Sequence, residues 1–254
     1  MVDLASLDPV ERYKEVVKAK KEFCKKFAES KNRCPACMLK LNICICENLD
    51  RLRIDSEQFP IDVVVLMNHK EWLRASNTAK IISRILGARV FVSGDTEDER
   101  DFDALIAQRR HNAVVLFPSD LAVTWDEVGR IGNTPDGRTL VIVLDGTWGQ
   151  ARRLNQKIDG SIPRIKITPS ALSQFLCRRQ TQADRVCTVE AVALLMTEIG
   201  LNDAASRLEE GLRMVVEGFN LQCFNSTHRP EHLLKKGPKS SSNLPRHPNS
   251  LISS

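Results

Sequence analysis

Leu140 to Leu144 is a run of five apolar residues between Thr139 and Asp145, and it limits the fold more than any other stretch. A run this short, apolar and rich in β-branched side chains reads as a strand covered on both faces. Such strands belong to parallel sheets packed between helices. Asp145 ends the strand, and Gly146 permits a sharp turn. Thr147 is placed to cap a helix beginning Trp148-Gly149-Gln150-Ala151-Arg152-Arg153-Leu154. In open parallel sheets, ligands sit beyond the carboxyl ends of the strands. Asp145, Thr147 and Trp148 therefore stand where chemistry is expected, although capping alone accounts for an Asp and a Thr at such a turn.

The rest of the chain repeats that pattern. Ile61 to Met67, Arg89 to Val92 and Ala113 to Phe117 read as further strands, and 162–167 as a short edge strand. Helices are expected over 8–30, with Asp8 as cap, and up to Leu86, closed by Gly87. Two more are expected over 99–110 and 203–224, and another through Ala191 to Met196. Strand and helix alternate, so the fold class is α/β with a largely parallel sheet and flanking helices. Ser76 or Asn77 reads as the cap of the helix ending at Leu86, and Thr188 as the cap of the later one, with Glu190 in its first turn. Ser76, Asn77 and Thr78 also put polar groups at a helix N-terminus, a cradle for an anion or carboxylate.

Four cysteines crowd into thirteen residues: Cys34 and Cys37, then Cys44 and Cys46. Soft thiolates in two pairs suit a tetrahedral zinc site, and four of them leave no position open for a substrate. A small, structural zinc knuckle held by four cysteines is the expectation. Its second pair, Cys-x-Cys, is tighter than that of a usual zinc ribbon. Lys31, Arg33, Lys40, Arg51 and Arg53 surround it, where they either meet phosphate or are merely solvated.

The chain divides on this reading into an N-terminal helix (1–33), the cysteine segment (34–59), a catalytic α/β domain (60–225) and a polar tail (226–254). No apolar run approaches the roughly 18 residues that span a bilayer. Met1 to Pro9 is acidic and lacks the apolar core of a secretory signal, and no Arg-rich leader is present. The expected home is the cytoplasm or the nucleus, without membrane contact. A net charge of +5 permits a polyanionic partner without demanding one. No Gly-x-Gly-x-x-Gly occurs, which disfavours a Rossmann methyltransferase.

Asp145-Gly146-Thr147-Trp148 followed by Gln150-Ala151-Arg152 resembles the signature of the DTW-domain family, named for its Asp-x-Thr-Trp motif. The cysteine pattern, the His69, Glu71, Arg74 and Ser76-Asn77-Thr78 series, and Thr188-Val189-Glu190-Ala191-Val192-Ala193 follow in the family's order, covering about residues 34–225. The resemblance implies a SPOUT-like domain with a trefoil knot. It implies a tRNA-uridine aminocarboxypropyltransferase, which moves the 3-amino-3-carboxypropyl group of S-adenosylmethionine to the ring imide nitrogen of uracil and releases methylthioadenosine. Leu116, Phe117 and Pro118, Leu144 and Gly146, and Thr188 and Glu190 then belong to three loops meeting at one crevice around the donor, with Ser76, Asn77 and Thr78 on the same side.

Two roles for Asp145 stay open: accepting the imide proton, or binding the donor's ammonium while Asn77, Thr78 or an arginine holds its carboxylate. Trp148 either stacks on a base or packs its own helix. Arg152, Arg153, Arg178, Arg179 and Arg185 are candidate phosphate contacts for tRNA. Two other functions compete: a SPOUT-type RNA methyltransferase, and a non-catalytic, zinc-bearing RNA-binding protein. The oligomeric state is not legible.

Overall fold

The computed structural model describes residues 5–57, 59–128, 138–167 and 186–224. Five strands form one sheet: β1 (Ile61–Asn68), β2 (Arg89–Ser93), β3 (Ala113–Leu116), β4 (Thr139–Asp145) and β5 (Arg164–Ile165). Their order is β2-β1-β4-β3-β5, and every neighbouring pair is parallel. The five-residue run is thus the middle strand, with β1 on one side and β3 on the other.

Alternation along these strands builds two cores. Val65, Met67, Val114, Leu116, Val141 and Val143 face α3 (Ala79–Leu86), α7 (Thr188–Glu198) and α8 (Asn202–Phe224). Val64, Leu66, Val115, Leu140, Ile142 and Leu144 face α4 (Thr96–Arg109) and α6 (Trp148–Lys157), through Phe102, Ala151 and Leu154. Each buried side chain of this size contributes about 1.5–3 kcal/mol of hydrophobic free energy. The expected α/β architecture is what the chain adopts. A four-residue turn of helix, α5 (Trp125–Val128), is an addition that the sequence did not signal.

The connections out of β1 and β4 fix where a ligand can sit. β1 feeds α3 on one face of the sheet, whereas β4 feeds α6 on the opposite face. The two strands are adjacent, with Met67 opposite Asp145. Connections that diverge to opposite faces leave a crevice at the carboxyl ends, the topological switch point of such sheets.

The cysteine segment is built onto the same core. Leu39, Ile45 and Leu49 join the α3, α7 and α8 cluster. The segment runs through a bridge between Arg33 and Lys40 into α2 (Cys46–Arg51). On α8, Gly218 leaves room for Leu39: a Cβ there would come within 2.7 Å of its Cδ1. Gln222 Oε1 accepts from the Lys40 amide at 2.9 Å.

The first helix, α1 (Pro9–Ser30), is capped by Asp8 as expected and buries Val17 and Ala28. It seats on Gly94, just past β2, where φ is +91°. A Cβ at Gly94 would collide with Tyr13 and lie 2.7 Å from Val17 Cγ2. The chain between β5 and α7, on whose path the expected knot depends, and the expected tail over 226–254 lie outside the described residues.

Gly94→Ala should therefore cost about 2–4 kcal/mol, from left-handed strain together with overpacking. Chemical denaturation would read this as a lowered midpoint with an unchanged slope.

Candidate functional site

Asp145 is the last residue of β4 and is only 3% exposed. Its Oδ2 accepts from Asn77 Nδ2 at 2.6 Å, and its Oδ1 accepts from Thr188 Oγ1 at 2.7 Å. Asn77 comes from the loop after β1, and Thr188 opens α7. One carboxylate thereby joins three segments that are distant in the chain. A buried charge needs such partners, because the water that would otherwise solvate it is excluded.

The helix caps differ in detail from the sequence reading. Thr78, not Ser76 or Asn77, holds the N-cap position of α3, and its side chain makes no capping bond. Asn77 still faces the helix: its Oδ1 accepts from the Lys80 amide at 3.4 Å, which leaves Nδ2 to donate to Asp145. Cys187, not Thr188, caps α7, and Glu190 Oε2 accepts from the Cys187 amide at 2.7 Å. This one-residue shift is what frees the Thr188 hydroxyl for Asp145.

Thr147 does cap α6, in a capping box with Gln150: the Thr147 amide donates to Gln150 Oε1 at 2.6 Å. Its hydroxyl is engaged by the Gln150 amide at 3.4 Å, so its direct task is to fix the turn. Gly146 is required beside it, because a Cβ would lie 2.9 Å from Gln150 Cβ. Trp148 begins α6, and its ring faces that of Phe117, with centroids 6.3 Å apart. The loops after β3 and β4 therefore meet through an aromatic pair. The side chains of Leu116 and Leu144 point into the two cores, so only their backbones border the crevice, and Pro118 is exposed. Ser76 is half-buried in the β1–α3 loop. Arg152 and Arg153 are exposed on α6, whereas Arg178, Arg179 and Arg185 lie outside the described residues.

Buried polar side chains concentrate at this end of the sheet. His69, Glu71, Asn77, Thr78, Ser93 and Asp145 are buried there; only Asn112 and Gln222 are buried elsewhere among the described residues. Tyr13, Ser93 and Lys80 take part here without any site role in the sequence reading. Tyr13 Oη lies 2.8 Å from His69 Nδ1 and donates to the Ser93 carbonyl at 3.2 Å. The phenol has one proton, so when it goes to the Ser93 carbonyl His69 Nδ1–H is the donor to Tyr13; the direction of that bond follows the imidazole tautomer. Burial, and then Lys70, Lys20 and Lys157, lower the His69 pKa from its usual range.

The Lys80 ammonium donates to the carbonyls of Ala75 at 2.7 Å, Cys37 at 2.8 Å and Arg74 at 3.2 Å. Burial draws its pKa down to about 8, against the pull of Cys37, Cys46, Cys34 and Asp145. One side chain thus ties the cysteine knuckle to the loop that carries Asn77. No spacing in the sequence marks it, since a lysine in the first turn of an amphipathic helix reads as solvated.

The four knuckle sulfurs lie within 4.8 Å of one another, with Cys34 and Cys46 3.6 Å apart and Cys37 and Cys44 3.8 Å apart. Zinc with sulfur bonds of about 2.3 Å in a tetrahedron would set such edges at about 3.8 Å, so the set fits that ion. Without a cation the thiols compete for protons. A hydrogen bond from Cys46 brings Cys37 down to about 4, while Cys46 is pushed up, first by that same bond. Cys44 is pushed up mainly by burial. A divalent ion is what lets all four ionise together.

The DTW-domain family model matches residues 31–220, from the knuckle through most of α8. The chain belongs to the DTW-domain family. Within it, the chain is 23% identical over 181 residues to mouse tRNA-uridine aminocarboxypropyltransferase 2, covering 69% of this chain and 59% of the mouse protein. It is 22% identical over 218 residues to the protein of that name from Macaca fascicularis, covering 83% of this chain and 71% of that one. Among solved structures, it is similar to the SAM-dependent rRNA:acp-transferase Tsr3 from Vulcanisaeta distributa. That likeness has a TM-score of 0.42 and 19% identity, over 64% of this chain and 81% of the other. No helix among the described residues is long and apolar enough to cross a membrane.

Metal analysis of the purified chain should give about one zinc per molecule, lost in Cys37→Ser. Lys80→Met leaves three enclosed carbonyls without their donor and should cost about 2–4 kcal/mol in denaturant unfolding, with weaker zinc retention. A depressed His69 pKa means that the unfolded chain binds the extra proton first as pH falls through about 6.5. Stability should accordingly drop between about pH 7 and about pH 5, and His69→Asn should flatten that drop in thermal melts.

Proposed function

We propose that this DTW-domain protein is a tRNA-uridine aminocarboxypropyltransferase. The observation that carries the reading is the joint at the switch point: a buried carboxylate, Asp145, fixed by Asn77 and Thr188 where three loops converge beside the Phe117–Trp148 pair. The names borne by the mammalian relatives agree with it. S-adenosylmethionine is the donor on this reading. Its sulfonium activates three carbons, and the bound geometry decides which one reacts.

In the transfer, the uracil imide nitrogen gives up its proton to water, and the freed lone pair attacks the Cγ methylene of the donor. The Cγ–S bond breaks, and its electron pair stays on sulfur as methylthioadenosine leaves. Of the two roles open to Asp145, the geometry favours the anchor. Both of its oxygens already accept hydrogen bonds, which weakens it as a base. A carboxylate accepts at about four lone-pair sites, a capacity that suits an ammonium as well as these two donors. The Trp148 ring, half-buried and tilted 47° to Phe117, offers one face for adenine or uracil. Zinc, held by Cys34, Cys37, Cys44 and Cys46, would supply structure and no chemistry, since four thiolates saturate it.

The test incubates the chain with S-adenosylmethionine and tRNA lacking the modification, and reads nucleosides and by-products by mass spectrometry. Aminocarboxypropyl-uridine with methylthioadenosine is the expected result. Methyl-uridine with S-adenosylhomocysteine would replace this reading with a methyltransferase. Asp145→Asn should lower turnover by at least about 100-fold and weaken donor binding measured by calorimetry. Lost turnover with donor affinity intact would return Asp145 to the role of base.

A further inference from the structure

α1 precedes the stretch matched by the family model, which starts at residue 31. From Pro9 to Arg33 the chain carries nine cationic side chains against four carboxylates, a surplus equal to the net +5 of the whole protein. The remaining 229 residues are neutral in sum, so the net surplus of the chain lies on α1 and the three residues that follow it. A charge so confined, on a helix seated rigidly by Gly94, Tyr13 and Val17, has the form of a binding surface.

The helix also exposes apolar side chains that its own packing does not use. Phe23 is 66% exposed and Val16 43%. Phe23 stacks on Phe27 with centroids 6.1 Å apart, and the Arg33 guanidinium lies 5.6 Å from the centre of the Phe27 ring. Helical spacing puts Lys20, Phe23, Lys26 and Phe27 on one flank. The other flank is different: Lys18, Lys21 and Lys25 share it, and Lys21 is already paired with Asp95. The first flank runs from Lys20, beside His69 at the carboxyl end of β1, to Arg33 at the mouth of the cysteine knuckle. It therefore links the crevice to the metal knuckle along one edge.

We propose that this flank, Lys20, Phe23, Lys26, Phe27 and Arg33, docks the RNA substrate outside the crevice, with phosphates on the cations and an unpaired base on Phe23. Cations on either side of one exposed aromatic face suit a strand whose bases are unstacked, because every base has a π-face and every linkage a charge. This assignment rests on the transferase reading for its substrate class. An acidic protein would satisfy the cations and leave Phe23 idle. A bilayer surface would require a broader apolar face than Val16 and Phe23 provide, since the third exposed apolar side chain of the helix, Val10, lies round the helix from them.

The experiment measures the affinity of the full chain for unmodified tRNA by fluorescence anisotropy across salt concentrations, alongside transfer kinetics. Phe23→Ala should weaken binding at least about fivefold, the lower limit for one stacked base. Lys20→Glu with Lys26→Glu should weaken it about tenfold or more and flatten the salt dependence by about 1.4, for two phosphates lost on a single strand. Lys18→Glu, on the other flank, should change affinity less than about twofold. Donor affinity should be unaltered in all of them, and so should the melting temperature at about pH 8 or above, outside the range in which His69 beside Lys20 titrates, which separates docking from folding. Equal losses in all the charge variants would reduce the effect to general attraction and overturn the proposal. So would stronger binding to phosphatidylserine vesicles than to tRNA. If the wild-type chain modifies tRNA and the Phe23 and Lys20/Lys26 variants keep its KM, this assignment falls while the transferase stands. If the flank variants lose tRNA affinity but no chain transfers the group, the transferase reading falls and the docking surface stands.

Discussion

A negative charge placed at the end of the middle strand is the constraint on which the rest of this structure turns. Asp145 lies too deep for water to solvate it, so its neighbours must. Asn77 and Thr188 do so, and each is delivered by a helix start that has given up an ordinary cap. Thr78 stands at the head of α3 without a capping bond, and Cys187 takes the place that Thr188 would fill. The local compromises at two helices share one cause, the carboxylate between them.

That arrangement also explains how much could be read from the residues. The buried strand, the turn at Gly146, the cap at Thr147 and the helix behind it follow from local chemistry, and all are present. The alternation of strands and helices gave the fold class for the same reason. The sequence reading singled out Asn77 and Thr188 as caps and donor-binding residues but not their bonds to Asp145, because hydrogen bonds between loops leave no periodicity. The contacts of Lys80 and the Tyr13–His69 bond were not legible at all. Each joins elements whose proximity exists only after the sheet has formed. The helix caps were displaced by one residue, since a cap inferred from sequence assumes that the hydroxyl has no better acceptor.

The cysteine knuckle is tied to the loop around Asp145 without reaching into it. Its hydrophobic residues join the core beneath α3 and α8, and its Cys37 carbonyl meets Lys80. The same ammonium holds the carbonyls of Arg74 and Ala75, just ahead of Asn77 in the chain. Rigidity supplied at the sulfurs is therefore passed to the loop that meets Asp145, through a packed core and these hydrogen bonds. Positioning of a reacting group to within a fraction of an ångström depends on such support.

The strand order carries a consequence for how the chain is made. β4 lies between β1 and β3, yet it is synthesised after both. Asn77 and Asp145 are 68 residues apart, and Thr188 follows Asp145 by another 43. A nascent chain can pair β1 with β2 before β4 exists, but β1 keeps an open edge and β3 has no partner until β4 and β5 follow. During that interval both strands present unpaired edges, and pairing them waits on closure of a long loop, the slow step of parallel sheets. The crevice is thus assembled late, because Asn77, Asp145 and Thr188 can meet only after the central strand has entered between β1 and β3.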